Sequence, residues 1–165
     1  MPSALIQGRH GPKPMITQHH NLDDLIAGIA DQIAELVRQR GLPCSEIAVL
    51  YTSKNLYGEQ DSPVPERIAK ALEGRGILNG WVAQDYRAKL EYDITSDRVT
   101  ISTIHSAKGL DWAVVFLLGM DTLDLEKKGI LARNLVYVGI TRAKYWLFVP
   151  YLEDGQSIKA LLKVQ

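Results

Sequence analysis

VTISTIHSAKGLDWAVVFLLG, residues 99–119, places two apolar segments on either side of a short polar centre. Val99–Thr103 is rich in β-branched residues and reads as a strand, and residues 114–118 form an apolar run of the kind buried on both faces of a sheet. Between them Ser106, Ala107, Lys108 and Gly109 make a small polar turn that follows directly on Thr103, Ile104 and His105. One reading is a tight connection whose histidine is satisfied by backbone. The other is chemical: hydroxyls, an imidazole and open backbone N–H groups are the donors that hold a phosphate chain in register without reading bases.

Downstream lies ARNLVYVGITRAKYWLFV, residues 132–149. Helical spacing predicts a helix over residues 131–144, with Leu131, Leu135, Val138 and Arg142 on one core-facing stripe, followed by a last strand over 146–149. An arginine at the end of that stripe serves one of two ends. It caps the last carbonyls or pairs with a carboxylate, or it presents a guanidinium at a domain edge to an anion held outside the chain.

Upstream, residues 1–14 contain GRHGPKP and read as a lead-in or linker, with the folded part spanning 15–165. A short strand is expected over 15–19. Asn21 is then an N-cap, with Asp23 and Asp24 in the first turn of a helix carried by Leu22, Leu25, Ile26, Ile29, Ile33, Leu36 and Val37; Arg38 and Arg40 close it and Gly41 stops it. Ile47–Tyr51 is a buried strand. A polar loop (53–65), a helix (66–74), a strand at 81–83 and a short C-terminal helix (157–163) complete the reading. Strands alternating with helices predict an α/β fold: a mostly parallel sheet with helices on both faces. In such sheets ligands bind beyond the carboxyl ends of the strands, where the loops after Tyr51 and Thr103 lie.

Composition bounds the function. Lys+Arg and Asp+Glu both number 19, so a nucleic-acid contact must come from a local patch rather than from overall charge. The lone Cys44 has no partner for a disulfide or a cysteine metal site, which points to a reducing, cytoplasmic setting. No apolar run is long enough to span a bilayer, and a secretory leader pattern is not expected at the N-terminus. His19 and His20 lack a third ligand at useful spacing. Trp81, Trp112 and Trp146 fall in or beside strands, which favours core packing over base stacking.

TIHSAKGLDWAVVFL resembles motif V, and LVYVGITRAKYWLFV motif VI, of UvrD/Rep-type superfamily I DNA helicases; EIAVLYTSKN (46–55) stands upstream where motif IV belongs. The resemblance covers roughly residues 47–149, most of the chain, and implies a second, RecA-like motor domain of three layers. In that family two such domains clamp ATP with Mg²⁺ and move on single-stranded DNA. Carried over residue by residue, Arg142 is the arginine finger and the catalytic group. Gly109 and Asp111, with Arg142, are expected at the nucleotide; Thr103, His105, Ser106 and Lys108 are expected at the DNA backbone. Tyr137 matches a family aromatic but reads more simply as a core residue with a wet hydroxyl.

Several positions depart from the family pattern. Asp111 stands for a usual glutamate, Thr52 for a motif IV arginine (with Lys54 a loose substitute), and Leu131 and Ala132 for an acidic pair. The segment 58–98 is too short for the large accessory domain of UvrD and Rep. No GxxxxGK[ST] loop and no evident acidic Mg²⁺ site occur, so ATP and Mg²⁺ would be held mainly by an N-terminal RecA-like domain of a longer chain, and this chain is not expected to hydrolyse ATP alone. The competing reading is a degenerate helicase-like domain kept as a DNA- or protein-binding module.

Overall fold

β2 (Ile47–Tyr51) is buried at all five positions, and this sets the architecture. Ile47, Val49 and Tyr51 face one apolar cluster while Ala48 and Leu50 face another, so both sides of the strand are covered. In the computed structural model, which describes residues 14–53, 56–58, 62–81, 97–123, 125–152 and 158–159, β2 lies inside a six-stranded sheet. The other strands are β1 (Met15–Gln18), β3 (Asn79–Trp81), β4 (Val99–Thr103), β5 (Trp112–Leu118) and β6 (Ala143–Tyr151). Their order is β1-β6-β5-β2-β4-β3, and every pairing is parallel. A parallel sheet needs cover on both faces.

One face is covered by α1 (Leu22–Arg38) and α2 (Val64–Gly74). Asn21 caps α1 by accepting from the Asp24 N–H at 2.8 Å, as its position before the apolar spacing predicts. Leu25, Ile29, Ile33 and Leu36 are buried against Ile68 and Leu72 of α2 and against the sheet. Ion pairs Arg67–Asp23 and Arg75–Asp31 join the two helices at the surface. Helix α2 begins two residues earlier than its sequence reading, because Pro65 fits a first turn where its missing N–H costs nothing.

The other face is covered by α3 (Leu125–Ile140) and by the chain between β4 and β5. Here the structure corrects the sequence reading. The helix runs from Leu125 to Ile140 with a break at Gly129 (φ 42°, ψ −109°), rather than from 131 to 144. Leu131, expected in the core, is 74% exposed; Ala132 is buried instead, with Leu135, Val136, Val138 and Ile140 packed against the cluster. Arg142 lies past the helix end, and Ala143 and Lys144 belong to β6. Strand boundaries also differ: β3 is Asn79–Trp81, β5 begins at Trp112, and β6 extends the expected 146–149 strand in both directions. Trp112 is buried and Trp81 and Trp146 pack against the core, as strand positions imply. Residues 1–13, Lys54, residues 82–83 and most of the expected C-terminal helix lie outside the described residues, although Ile158 and Lys159 are helical.

Candidate nucleotide and nucleic-acid edges

β4 and β5 flank β2 on opposite sides, so the chain that joins them must cross the face of β2. Ile104 and Ala107 make that crossing: both are fully buried, in the same cluster as Ala48 and Leu50. The crossing starts at the carboxyl edge of the sheet, where Ile104 N–H bonds Tyr51 O at 2.9 Å. Thr103 Oγ1 accepts from Ser106 N–H at 3.1 Å, and Ala107 N–H reaches Thr103 O at 3.2 Å, which folds the segment into successive turns. His105 and Lys108 are exposed and Ser106 is half-buried. Gly109 takes φ +88°, a left-handed conformation that favours glycine, and lets the chain enter β5 by way of Leu110 and Asp111.

Thr103 therefore stands at the carboxyl edge and Asp111 at the amino edge. The rule for parallel sheets puts the loops after Tyr51 and Thr103 at the carboxyl ends, and it does not place Gly109, Asp111 or Arg142. The strand order divides it: Thr103 and the following residues mark one edge, and Gly109 and Asp111 reach the other.

Arg142 joins Asp111 at the amino edge. Thr141 follows directly on α3, and its hydroxyl donates to Tyr137 O and Val138 O, both at 3.0 Å. The Arg142 guanidinium turns back: Nε donates to Val138 O at 3.2 Å and Nη2 to Thr141 Oγ1 at 3.2 Å. Its backbone carbonyl accepts from Trp112 N–H at 2.8 Å, which fixes the end of the helix beside the start of β5. Among the described residues no carboxylate pairs with Arg142. Of the two readings of this arginine, the capping geometry is the one present, and it engages only part of the guanidinium fork.

Asp111 pairs with Lys144, Oδ1 to Nζ at 3.4 Å. Lys144 escaped the sequence reading because the helix was carried through it. The signal was the alternation Ala143, Tyr145, Leu147, Val149, Tyr151, which has the period of a strand.

Other expected positions fall elsewhere. Thr52 lies at the carboxyl edge beside Thr103, through the pairing of Tyr51 with Thr103, and thus on the edge away from Arg142. Tyr137 is 39% exposed on α3 rather than in the core. His19 bonds Asp24 Oδ2 at 3.3 Å and Thr17 Oγ1 at 3.2 Å. At the carboxyl edge Asp121 accepts from Tyr57 O–H at 2.8 Å and from Leu152 N–H at 2.9 Å, tying together the chain after β2, β5 and β6. Tyr51 is pushed above the ordinary phenol range by burial, offset in part by the hydrogen bond that Trp81 Nε1–H donates to its hydroxyl. Among the described residues no three His, Cys, Asp or Glu side chains converge, and no helix is long and apolar enough to cross a membrane.

Residues 98–149, which hold both edges, match the model of the UvrD-like helicase C-terminal domain. The ATP-dependent DNA helicase Srs2 of Schizosaccharomyces pombe is 45% identical over 76 residues, 40% of this chain and 8% of that protein. DNA helicase II of Escherichia coli is 41% identical over 69 residues, 37% of this chain and 10% of that protein. The ATP-dependent DNA helicase PcrA of Bacillus subtilis is 41% identical over 61 residues, 32% of this chain and 8% of that protein. The matched stretch thus spans about a tenth or less of these relatives. The fold is shared with the crystal structure of the C-terminal domain of a possible DNA helicase from Lactobacillus plantarum, with a TM-score of 0.67 and 19% identity, covering 99% of this chain and 88% of that one. Through residues 98–149 the chain carries the C-terminal domain signature of the UvrD-like helicases.

Proposed function

We propose that residues 15–165 act as the second RecA-like motor domain of an ATP-dependent DNA helicase or translocase, with residues 1–14 as its lead-in. One observation carries this reading. The turn ending in Asp111 and the turn holding Arg142 are bound to each other through Trp112 N–H and Arg142 O, at the edge of the sheet opposite Thr103. The amino edge then faces a nucleotide held by a partner domain, with Arg142 as the arginine finger and Gly109 and Asp111 near the sugar. The carboxyl edge with the first part of the crossing (Thr103, His105, Ser106 and Lys108) contributes part of a single-stranded DNA track.

ATP and Mg²⁺ would be gripped mainly by the N-terminal RecA-like domain, whose closure would draw Arg142 from Val138 O and Thr141 Oγ1 towards the γ-phosphate. Exchanging two neutral acceptors for anionic phosphate oxygens is favourable for a guanidinium. The working compartment is the cytoplasm.

The test is ATP turnover by the protein in which the chain is joined to a domain with a phosphate-binding loop. Arg142→Ala should lower DNA-stimulated kcat by about 10³-fold or more, the usual effect of removing an arginine finger, while thermal unfolding shifts little. Near-normal turnover would remove the motor reading.

A second reading is supported by the capping bonds of Arg142, which give that residue a structural task without any nucleotide. In that case the chain is a non-enzymatic DNA- or protein-binding module, and Arg142→Ala lowers the melting temperature without touching any turnover.

A further inference from the structure

β6 carries one residue more than β5 along their shared edge. Trp112 pairs with Ala143 and Val114 with Trp146, so Lys144 and Tyr145 together oppose Ala113. A bulge of this kind re-aims the side chains it contains and bends the strand. Here it lies directly after Arg142, and Lys144 within it reaches Asp111 at 3.4 Å. Both side chains are about half exposed, 49% and 56%, so solvent screens the pair and it adds little to the stability of the fold. A strand irregularity and an ion pair of small energetic value meet beside the bond that locks Arg142 to β5.

We propose that Lys144 is a positioning residue for the nucleotide. Its ammonium holds the short Asp111 side chain in one orientation, in which the second carboxylate oxygen is offered to the hydroxyls of a ribose. It also offsets a negative charge that would otherwise stand beside a polyphosphate. The inference rests on the reading of the amino edge as nucleotide-facing. It adds to that reading a residue to which the motif resemblance assigns no role, and a sugar selectivity that depends on it. Asp111 is one methylene shorter than glutamate, and a carboxylate without Lys144 swings away from the sugar and repels the phosphates.

The experiment uses the ATP-hydrolysing protein in which the chain is joined to its nucleotide-binding domain, with kcat and KM measured for ATP, 2′-deoxy-ATP and 3′-deoxy-ATP. Lys144→Met should raise the KM for ATP by about fivefold, the upper end for an exposed pair, with kcat kept. The preference for ATP over at least one deoxy analogue should shrink. Lys144→Arg should restore both. Adding Asp111→Asn to Lys144→Met should bring KM back down, because the repelling charge is gone, while the sugar preference stays lost. An unchanged KM and sugar preference in Lys144→Met overturns the proposal, as does Lys144→Arg behaving like Lys144→Met. Arg142→Ala, run alongside, separates the two levels. If it abolishes turnover while Lys144→Met is silent, only this inference fails; if it leaves turnover intact, the nucleotide-facing reading fails and the inference falls with it.

Discussion

Thr52 and Gly119 meet at the carboxyl edge of the sheet, and each limits the other. Gly119 sits at φ +91°, and a Cβ there would overlap Thr52 Oγ1 and come within 2.8 Å of Leu56 Cδ1. The Thr52 hydroxyl is buried with no hydrogen-bond partner among the described residues. Two substitutions should therefore differ in sign. Gly119→Ala adds left-handed strain and an overlap, and should destabilise the chain by about 2–4 kcal/mol. Thr52→Val keeps the shape and removes an unsatisfied group, and should be neutral or stabilising by up to about 1 kcal/mol. Urea denaturation of both variants checks the pair. Gly139 makes a useful contrast, since a Cβ there would lie 2.7 Å from Leu117 Cδ1, the movable end of a side chain, inside a helix that favours alanine.

Among the elements, the crossing between β4 and β5 has the greatest consequence, because it is short and must also cover part of the sheet. Ile104 is its main anchor, fully buried with Ala48 and Leu50. Ile104→Ala should cost about 2–4 kcal/mol, the usual range for such a cavity. It should also speed hydrogen exchange at Ala107 and Leu110, whose N–H groups close the following turns. Exchange measured by NMR checks this, and protection equal to that of the native chain would show that the turns hold without their anchor. The residues of this element were legible in the sequence, since two β-branched or apolar runs around a polar glycine turn leave few alternatives. Its path was not legible. Strand order is a property of the whole sheet, and nothing in residues 99–119 says that β2 lies between the two strands. With β2 between them, Thr103 ends β4 at the carboxyl edge and Asp111 precedes β5 at the amino edge. Helix α1 was legible because cap, acidic first turn and apolar spacing agree. Helix α3 was not: Gly129 breaks its start, Ile130 and Leu131 are apolar yet exposed, and the apolar residues of β6 follow almost without a gap.

For the molecule as a whole, the balance of charge decides what kind of DNA contact is open to it. With 19 basic and 19 acidic residues the chain has no net field to draw a polyanion, and among the residues proposed for the track only Lys108 carries a fixed positive charge. Donation by Thr103, Ser106 and backbone N–H groups releases few counterions. A track of this sort should neutralise about one or two phosphates, which gives a slope of log K against log salt of about −0.7 to −1.4 for a single strand. Raising salt fourfold, from 50 to 200 mM, should then weaken binding of a labelled oligo-dT by about three- to sevenfold. Anisotropy measured on the 165-residue chain reads this directly. Lys108→Ala should flatten the slope by about 0.7, the contribution of one released counterion. Thr103→Val should weaken binding at every salt concentration and leave the slope as it was, because a hydroxyl donor carries no charge. A loss of a hundredfold or more over the same salt range would mean that a basic surface elsewhere on the chain dominates, and the β4–β5 crossing would then lose its place as the DNA-facing element.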